Sequence, residues 1–582
     1  MKQFRISNAM ILLIPVLFAG LAWFSACTEE KVITETVEVI VRDTVTVEII
    51  SVDSIFANPD SITEGGSIAL TAATTLRPEA GAALNYAWFA DAGTFPEGSE
   101  GDTVTWKAPD EPGAYAISVH VTDGDFIGLG NRRIGVGMFA PTTSPFFLGD
   151  VSCMQCHANQ HAEWSETGHS HAWATLQESG NPREFCQPCH SVGYEPDWFT
   201  GNSGYDEAPI AKFENVQCEN CHLAASEHIE GGVPDPTKVV ISYEVDNCGK
   251  CHDGTHQPYL TEWEQSPHNF SKDFFAAQNP SCQGCHEGVA SAKRLAGDVS
   301  QFYGGGPVPD RPSVDEVPIT NVTCQACHDP HNAENPGQLR TVADVPLVTS
   351  NGESPVITVG GSGKLCMHCH HARRGPDNQV INGYAHFGPH ANPQADMMAG
   401  ASAYQKVAAD DFVWADPSHL NVQNSCKTCH LNMVEYPGPA GSAITGHTFL
   451  PTVEACASCH GQISSFDDIR ATDDYDGNGM VEGVQTEVRG LLKKLEEALL
   501  ADGLDTTGVG FEGALGDTTL STFKQREAGY NWAFVHDDKS DGIHNPTYTV
   551  QLLQQSIQHL TGQPLKNARL VFGSHQQVAE KW

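Results

Sequence analysis

Hydrophobic and polar residues follow three different patterns along this chain. Between Glu29 and Ile50, valine alternates with threonine and glutamate with a period of two, which predicts an extended spacer. From residue 51 to 140, short alternating runs are separated by Gly, Pro and Asp, a pattern typical of β-strands joined by turns. The clearest runs are Ser67–Leu70, Tyr86–Phe89, Thr103–Trp106 and Tyr115–Val121.

These runs resemble an immunoglobulin-like or PKD-like sandwich, in which Trp88 would be the core tryptophan of a middle strand and Tyr115 would lie near a corner. After a proline-rich link between Pro141 and Pro145, the strand pattern is lost. We therefore expect a multidomain fold, with an N-terminal all-β sandwich at 51–140 followed by a mainly α, loop-rich domain.

Helical periodicity returns near the C-terminus. Glu482 to Leu500 has apolar residues at intervals of three and four, and Gly503 follows as a stop signal. A second helix is expected from Thr547 to Leu560. These are the only two long helices expected, and they assign residues 471–582 to a helical C-terminal part of the second domain.

The cysteines define the character of that second domain. Eighteen of the nineteen cysteines belong to nine copies of one pentapeptide, Cys-X-X-Cys-His. The cysteine pairs are Cys153 and Cys156, Cys186 and Cys189, Cys218 and Cys221, Cys248 and Cys251, Cys282 and Cys285, Cys324 and Cys327, Cys366 and Cys369, Cys426 and Cys429, and Cys456 and Cys459. The histidines that complete the motifs are His157, His190, His222, His252, His286, His328, His370, His430 and His460. Because only Cys27 is left over, the chain has no thiols for a disulfide framework.

Cys-X-X-Cys-His is the attachment sequence of haem c, in which two thiols bond to the haem vinyl groups and the histidine becomes the first axial ligand of iron. A single copy would also fit a zinc half-site or a thioredoxin-like redox pair, but nine copies that each end in His favour haem. The motifs start 30 to 60 residues apart, in segments too short to bury cores of their own. We therefore predict nine covalently bound haem c groups that fill the interior of a multihaem cytochrome domain at 150–470.

Several segments resemble known multihaem cytochromes. Trp164 with His169, and the segment Trp263 to His268, resemble Trp-x-x-Ser-x-His segments of the tetrahaem cytochrome family that accepts electrons from hydroxylamine oxidation. Cys324 to His331 is similar to a doubled motif, whose trailing histidine ligates a neighbouring haem. Asp538 to Pro546 looks like the C-terminal region of the cytochrome c nitrite reductase superfamily. The Cys-X-X-Cys-Lys motif that marks the catalytic haem of ammonia-forming members is not among the nine motifs.

These resemblances supply candidates for the second axial ligands. A haem with two protein ligands is closed and transfers electrons, whereas an open iron can bind and reduce a small molecule. The nine candidates are His169, His228, His268, His331, His386, His390, His419, His447 and His544. The reserves are His161, His171, His256, His371 and His536. For each of these histidines, a solvent-exposed or non-ligating role is the alternative.

The N-terminus predicts the compartment. Lys2 and Arg5 precede an apolar run that ends at Phe24, which indicates a lipoprotein-type signal peptide at 1–26, followed by a spacer at 27–50. Ser25-Ala26-Cys27 resembles a lipobox, so we expect attachment to the membrane through lipid on Cys27. Ordinary signal cleavage beside an incidental cysteine is the alternative. The expected location is outside the cytoplasm, as an outer-membrane lipoprotein that faces the periplasm or the cell surface.

The charge of the chain indicates which kinds of partner it can bind. The chain has 32 basic and 72 acidic side chains, for a formal charge of −40, which excludes nucleic acid as a natural partner. An acidic surface favours basic redox partner proteins, such as other cytochromes, or an extracellular electron acceptor. Solubility alone is an equally good explanation of the charge.

A second type of metal site is predicted near residue 474. Asp474, Asp476 and Asn478 offer oxygen ligands at alternate positions, with Gly479 at the sixth position, as in a calcium loop that leads into a helix. The twelfth position holds Gln485 instead of the usual glutamate. Calcium binding and an ordinary acidic turn are both consistent with this pattern.

Together these features predict an extracytoplasmic nonahaem electron conduit, and no catalytic residue is nominated. One alternative is a multihaem oxidoreductase that acts on a small nitrogen or sulfur compound, which would require one open haem. The other alternative is a subunit of a conducting cytochrome filament, with one haem ligated by the next chain.

Overall fold

The computed structural model describes residues 49–58, 61–77, 83–124, 126–137, 143–180, 183–194, 202–253, 258–297, 306–348, 350, 352–435 and 443–572. The predicted signal peptide, Cys27 and all but the last two residues of the predicted spacer lie outside these ranges. No described helix combines the length and the apolar composition needed to cross a membrane.

The N-terminal region contains two β-sheets in its described part. Its strands are β1 (Ile49–Asn58), β2 (Ser61–Ile62), β3 (Ser67–Arg77), β4 (Asn85–Ala90), β5 (Thr103–Lys107), β6 (Gly113–Thr122) and β7 (Ile127–Val136). One sheet has the order β1-β3-β5 and the other β2-β7-β6-β4. All of these strand pairs are antiparallel except β2 with β7. The four predicted strand runs are confirmed, since they lie within β3, β4, β5 and β6.

Both sheets contribute side chains to one apolar cluster, because alternate residues of each strand point to the same face. In β6, Ile117, Val119 and Val121 are fully buried. Trp88 is 2 % exposed, and its indole N–H donates to the carbonyl of Gly101 at 2.9 Å. The hydroxyl of Tyr115 donates to the carbonyl of Glu111 at 2.9 Å, which fixes the chain before β6.

Short helices and loops dominate the region from residue 143 to the C-terminus. The described helices are α1 (Asp150–Met154), α2 (Ala158–Ser165), α3 (Ala172–Glu178), α4 (Gln187–His190), α5 (Cys218–His222), α6 (Asp246–Gly249), α7 (Tyr259–Glu264), α8 (Phe275–Gln278), α9 (Gln283–His286), α10 (Gly288–Ala296), α11 (Cys324–Cys327), α12 (Lys364–Met367), α13 (Pro376–Asn382), α14 (Gln394–Ala399), α15 (Cys426–His430), α16 (Val453–His460), α17 (Val484–Ala501), α18 (Gly510–Gly516), α19 (Phe523–Asp538) and α20 (Pro546–Thr561). Two small antiparallel pairs join β8 (Val345–Pro346) to β9 (Val356–Ile357) and β10 (Val434–Glu435) to β11 (Ala443–Ile444). A β-sheet region is thus followed by a helical, loop-rich region.

The two predicted C-terminal helices are confirmed as α17 and α20. The expectation that they are the only long helices is wrong, because α19 has 16 residues. This helix is buried on nearly all sides, and Gln525, Arg526 and Asn531 are buried together with its apolar residues. Its sequence therefore lacks the one-sided apolar stripe by which a surface helix is recognised.

The apolar core of the second region lies around these C-terminal helices. A large cluster combines α17, α19 and α20 with residues such as Phe387 and Tyr404. By contrast, the described residues between 143 and 343 form only small apolar clusters, such as the one around Val192 and Phe213. This distribution agrees with an interior that is filled by cofactors, as the spacing of the motifs predicts.

Candidate functional site

The Cys-X-X-Cys-His motifs, called sites 1 to 9 in order from Cys153 to Cys456, lie in or beside short helical turns. In sites 1, 4, 5, 6 and 7, the backbone N–H of the histidine donates to the carbonyl of the first cysteine at 2.9 to 3.2 Å. This bond closes one helical turn, which places positions one, four and five of the motif on the same face. All eighteen motif cysteines are free thiols in the structure, with no disulfide among them. Each motif can therefore offer two thiols and one imidazole to a single group.

Seven of the motif histidines lie beside a second histidine at a nearly constant distance. The ring centroids of these pairs are 6.0 to 6.5 Å apart. The pairs are His157 with His228, His252 with His169, His222 with His331, His370 with His268, His286 with His390, His460 with His419, and His430 with His544. Metal–imidazole bonds of about 2 Å put two rings on opposite sides of one metal roughly 6 Å apart between centroids. The residues therefore fit a haem iron between each pair of rings.

His447 is an electrostatic neighbour of another motif histidine, His328, although no ring contact at the pair distance joins them among the described residues. Burial lowers the pKa of His447 to about 4, and the neighbouring His328 is the next largest cause of this shift. The buried carboxylate of Glu262 fixes His447 by accepting its backbone N–H at 2.7 Å. Nδ1 of His447 is hydrogen-bonded to the hydroxyl of Thr445 at 2.9 Å. The structure thus places seven of the nine candidate second ligands at the pair distance from a motif histidine, and an eighth, His447, within electrostatic reach of His328.

Several of the paired imidazoles, and the unpaired His190, are oriented through Nδ1, which leaves Nε2 for the metal. Nδ1 of the histidine lies 2.6 to 2.8 Å from a backbone carbonyl oxygen in His190, His222, His228, His328, His419 and His430. Such hydrogen bonds fix the tautomer and the ring orientation of a metal-ligating histidine. The sequence contains no signal for them, since the acceptors are backbone carbonyl groups, which every residue has.

Burial also keeps these imidazoles in the neutral form that ligates metals. Burial lowers the pKa of His268 to about 4, with a smaller effect from His370. The pKa of His390 is lowered to about 4 by burial and then by Arg373. His544 behaves differently: burial lowers its pKa, but the charge and hydrogen bond of Asp538 outweigh burial and raise it overall. Nδ1 of His544 is thus hydrogen-bonded to a buried carboxylate.

Two further predicted ligands are not brought into a pair. His386 is exposed, and its backbone carbonyl accepts a hydrogen bond from Arg374 at 3.0 Å. Within the described residues, no histidine ring lies at the pair distance from His386 or from the motif histidine His190. The second ligand of site 2 is therefore not assigned by the described part of the chain.

The reserve histidines have other surroundings. Nε2 of His161 is 2.8 Å from a carboxylate oxygen of Asp150, and His171 is exposed. Nδ1 of the buried His371 is hydrogen-bonded to the carbonyl of the next residue at 2.7 Å, and His536 stacks on Trp532. The remaining reserve, His256, lies outside the described residues.

The loop predicted to bind calcium folds around its first aspartate. The carboxylate of Asp474 accepts backbone N–H groups from Gly477, Asn478 and Gly479 at 2.6 to 3.2 Å. Gly479 at the sixth position has a φ of 93°, which a side chain would strain. Oxygens of Asp474, Asp476 and Glu487 lie within 4.8 Å of one another.

The sequence pattern did not single out Glu487, because the twelfth position of the loop is Gln485. The side-chain amide of Gln485 instead donates to the carbonyl of Ser540 at 3.1 Å. Glu487 lies one helical turn into α17, and its fully buried carboxylate accepts the backbone N–H groups of Tyr475 and Asp476. A search for a carboxylate two positions beyond the usual one would have found it.

Comparison with known proteins gives partial matches. The family model for cytochrome c552 matches residues 406–578, which contain sites 8 and 9. The family model for cytochrome c554 and c-prime matches residues 152–223, which contain sites 1 to 3. A search of curated proteins returned no match.

Two solved structures match the chain at low identity. The outer cell wall cytochrome OcwA is 18% identical with a TM-score of 0.46, and the match covers 71% of this chain and 100% of that one. The undecahaem cytochrome from the S-layer of Carboxydothermus ferrireducens is 17% identical with a TM-score of 0.42, and the match covers 73% of this chain and 70% of that one. The chain is therefore a multihaem c-type cytochrome, as the repeated attachment motifs, the paired histidines and the two family models all indicate.

Proposed function

We propose that the chain is a nonahaem c-type cytochrome that transfers electrons outside the cytoplasm. The seven histidine pairs, with His447 as the proposed partner of His328, carry this proposal, because a haem iron held between two protein imidazoles has no position left for a substrate. Two thioether bonds from each motif would hold each haem, and the motif histidine would be its first ligand. Within the described residues, the arrangement therefore suits electron transfer at eight sites.

The proposed location rests on residues 1–27. We infer that these residues are a signal peptide whose end resembles a lipobox, which implies export and a lipid on Cys27, as an outer-membrane lipoprotein. The β-sheet region would be an immunoglobulin-like or PKD-like stalk between the lipid and the haems. The two solved structures that match the chain are named as cytochromes of the outer cell wall and of an S-layer, which are surface locations of those proteins.

Intact mass and haem content test the haem count. The mature protein should show the mass increment of nine haems, and the pyridine haemochrome assay should give nine haems per chain. Alkylation of denatured protein should label none of the eighteen motif cysteines. Eight or fewer haems in fully matured protein, with two alkylatable thiols for each missing haem, would contradict the proposal.

A second candidate function is supported by His190. Its Nδ1 lies 2.7 Å from the carbonyl of Ala172, so the ring is oriented for a metal, while no described histidine completes the site. An open haem at site 2 would allow reduction of a small nitrogen or sulfur compound. This reading predicts one stoichiometric high-spin haem in electron paramagnetic resonance (EPR), with a signal that shifts when nitrite or hydroxylamine is added.

The same EPR measurement tests the remaining alternative, in which the chain is a subunit of a conducting filament. If a histidine from another copy ligates site 2 in a filament, the high-spin signal should appear on dilution to the monomer. If the signal is missing from monomeric protein, a ligand from the same chain completes site 2 and both alternatives fail. A relation to the hydroxylamine-linked and nitrite reductase cytochromes is likewise part of the proposal.

We also propose that Asp474, Asp476 and Asn478 bind calcium, with Glu487 as a further carboxylate. Three carboxylates converge there, and the loop closes onto the first turn of α17. Calcium would neutralise these charges and fix the loop against the helix. Isothermal titration with calcium tests this site, and an ordinary acidic turn would give no heat of binding.

A further inference from the structure

The C-terminal helices bring together a histidine and two carboxylates that the proposed haem sites do not use. Oδ1 of Asp537 lies 3.4 Å and Oε1 of Glu512 lies 3.8 Å from Nδ1 of His536. One ligand atom from each of the three side chains lies within 4.8 Å of the other two. We propose that this cluster binds a divalent transition-metal ion of the zinc type, separate from the haem irons.

The Nδ1 atom of His536 has the surroundings of a metal ligand. It is buried, and the described residues offer it no hydrogen-bond partner. An unprotonated Nδ1 and two carboxylates are all electron-pair donors, so a cation between them satisfies the three groups together. A proton on Nδ1 is the alternative, and titration with zinc separates the two.

Other histidine–carboxylate contacts in the described chain have a different form. Nε2 of His559 lies 2.8 Å from a carboxylate oxygen of Glu527. Nε2 of His161 lies at the same distance from Asp150. In both cases one imidazole nitrogen makes one hydrogen bond to one carboxylate. Nδ1 of His536 instead faces two carboxylates at longer distances, which leaves room for an ion.

The separations between the three ligand atoms suit a small divalent ion. Metal–ligand bonds of about 2.0 to 2.2 Å put neighbouring ligand atoms roughly 3.3 to 3.6 Å apart around a tetrahedral ion. The distance from His536 to Asp537 already has this value, and the distance to Glu512 needs only a small side-chain rotation. Burial raises the pKa of Asp537, and the charge of Glu512 raises it further. A bound cation would remove that repulsion.

The chemistry of the donor atoms selects the class of metal. One imidazole nitrogen with two carboxylate oxygens suits zinc and similar transition metals, whereas calcium takes six to eight oxygen ligands. The side chains of Glu512 and His536 are 46 % and 42 % exposed, so an ion can enter from solvent. Three protein ligands would leave one position of a tetrahedral ion for water.

Aromatic packing holds the two helices at the distance that the cluster needs. The imidazole of His536 stacks on the indole of Trp532, with ring centroids 4.7 Å apart and ring planes 12° apart. Phe511 of α18 packs edge-on against the same indole at 4.6 Å. Because Glu512 follows Phe511 directly, this contact brings its carboxylate to the histidine of α19.

The loop before His390 packs against both helices beside the cluster. A Cβ at Gly388 would lie 3.1 Å from Cβ of Ala533 and 3.6 Å from Oδ2 of Asp537, so the loop backbone lies close to α19. A Cβ at Gly516, the last residue of α18, would clash with the carbonyl of Tyr384 in the same loop. The backbone around the cluster is therefore closely packed on both ligand-bearing helices.

Calorimetric titration of the full, haem-loaded protein with Zn²⁺ tests the site. The protein is first treated with a chelator, and calcium is then kept in excess, so that the acidic loop around Asp474 is not available to zinc. One strong zinc-binding event per chain is expected, and calcium should not compete for it. Zinc should also raise the melting temperature, since it binds only the folded site.

Two substitutions assign this binding event to the cluster. Loss of a partner outside the ligand sphere already lowers metal affinity roughly 10- to 100-fold, so loss of a ligand should cost at least as much. Glu512→Gln should therefore weaken zinc binding at least tenfold, and His536→Gln should abolish it. The controls are Glu497→Gln, at an exposed position of α17, and His559→Gln, at the single-carboxylate contact. Both should bind zinc as the wild type does.

Haem content and EPR distinguish this site from the haem sites. Each variant should carry as many haems as the wild type, with the same low-spin signals. If His536→Gln assembles fewer haems, the comparison of Glu512→Gln with Glu497→Gln decides. A low-spin haem that becomes high-spin in His536→Gln would make His536 an axial ligand and overturn the proposal. Absence of zinc binding, or equal affinity in Glu512→Gln and the wild type, would also overturn it, and neither result affects the proposed electron-transfer function.

Discussion

A carboxylate oxygen of Asp538 lies 2.6 Å from Nδ1 of His544, and the Asp538 side chain is 1 % exposed. Asp538 is the last residue of α19, and Lys539 then adopts a left-handed φ of 62°, which turns the chain back toward His544. The other carboxylate oxygen of Asp538 accepts from the backbone N–H of Ser540 at 3.3 Å. A buried carboxylate on the proposed second ligand of site 8 gives this imidazole more negative character than a carbonyl acceptor would.

This contact predicts a lowered potential at site 8. A negatively charged partner stabilises ferric iron more than ferrous iron, so Asp538→Asn should raise the potential of this haem. A differential stabilisation of about 1 kcal/mol corresponds to roughly 40 mV for one electron. Spectroelectrochemical titration together with the EPR signal of the site measures the shift.

The matched control is Asp329→Asn at site 3. Asp329 is 3.2 Å from Nδ1 of His331, but both side chains are partly exposed to solvent, which screens the charge. This variant should shift its haem less than Asp538→Asn shifts site 8. Equal shifts in the two variants, or a fall in potential at site 8, would refute the assigned role of Asp538.

The contacts of Arg294 predict that this buried cation stabilises the fold between sites 5 and 7. Its side chain is 1 % exposed, and it donates to two backbone carbonyls and to the sulfur of Cys369 at 2.9 Å. Arg294→Met leaves these buried acceptors unsatisfied and should lower the free energy of unfolding by about 3 kcal/mol. The adjacent, exposed Lys293 is the control, since Lys293→Met should have almost no effect in the same denaturation experiment.

The burial of Asp396 predicts that the free energy of unfolding depends on pH. Burial raises its pKa to about 6, and the hydrogen bonds from Ser402 and Ala372 only partly oppose this shift. The folded state then holds a proton that the unfolded chain has released, so stability falls as pH rises from about 4 to about 6. The shift corresponds to roughly 3 kcal/mol at most. Asp396→Asn should abolish this part of the pH dependence, measured by denaturation between pH 4 and 7.

The exposed Asp410 supplies the comparison for that experiment. Asp410→Asn should leave the pH profile of the wild type in place. A profile for Asp396→Asn with the same fall between pH 4 and 6 would mean that another group causes it.

Calcium removal tests the acidic loop. Chelation should lower the melting temperature of the C-terminal helices by several degrees, because three clustered carboxylates would then repel one another. Glu487→Gln should reduce calcium affinity at least tenfold, whereas Asp473→Asn, at an exposed neighbouring position, should not. An identical melting temperature with calcium and with chelator would show that the loop is an ordinary turn.

Local patterns predicted much of the fold. Alternating residues identified four of the N-terminal strands, and the periodicity of Glu482 to Leu500 identified α17, because both patterns arise from one buried face. α19 was missed, since a helix enclosed by others has no solvent face. Its buried Asn531 donates to Ser556 in α20 at 2.9 Å, a contact between helices that no local pattern encodes.

The individual ligand residues could be predicted from the sequence, but not which second histidine lies beside which motif histidine. The motif cysteines and histidines follow from covalent chemistry, and seven nominated histidines lie at the pair distance from motif histidines in the structure. Which histidine pairs with which motif depends on tertiary folding: His544 comes from beyond α19 to reach His430. His386 was nominated because it lies near Gly and Pro, yet its neighbour His390 is the one that pairs with His286.

The central claim is that the seven histidine pairs, and His328 with His447 as its proposed partner, each hold one haem iron. Low-temperature EPR of the fully oxidised protein, with spins counted against a haem content of nine, tests this claim most directly. At least eight low-spin ferric haems per chain with bis-histidine signals are expected, and the ninth signal reports the state of site 2. Two or more stoichiometric high-spin haems in intact protein would contradict it.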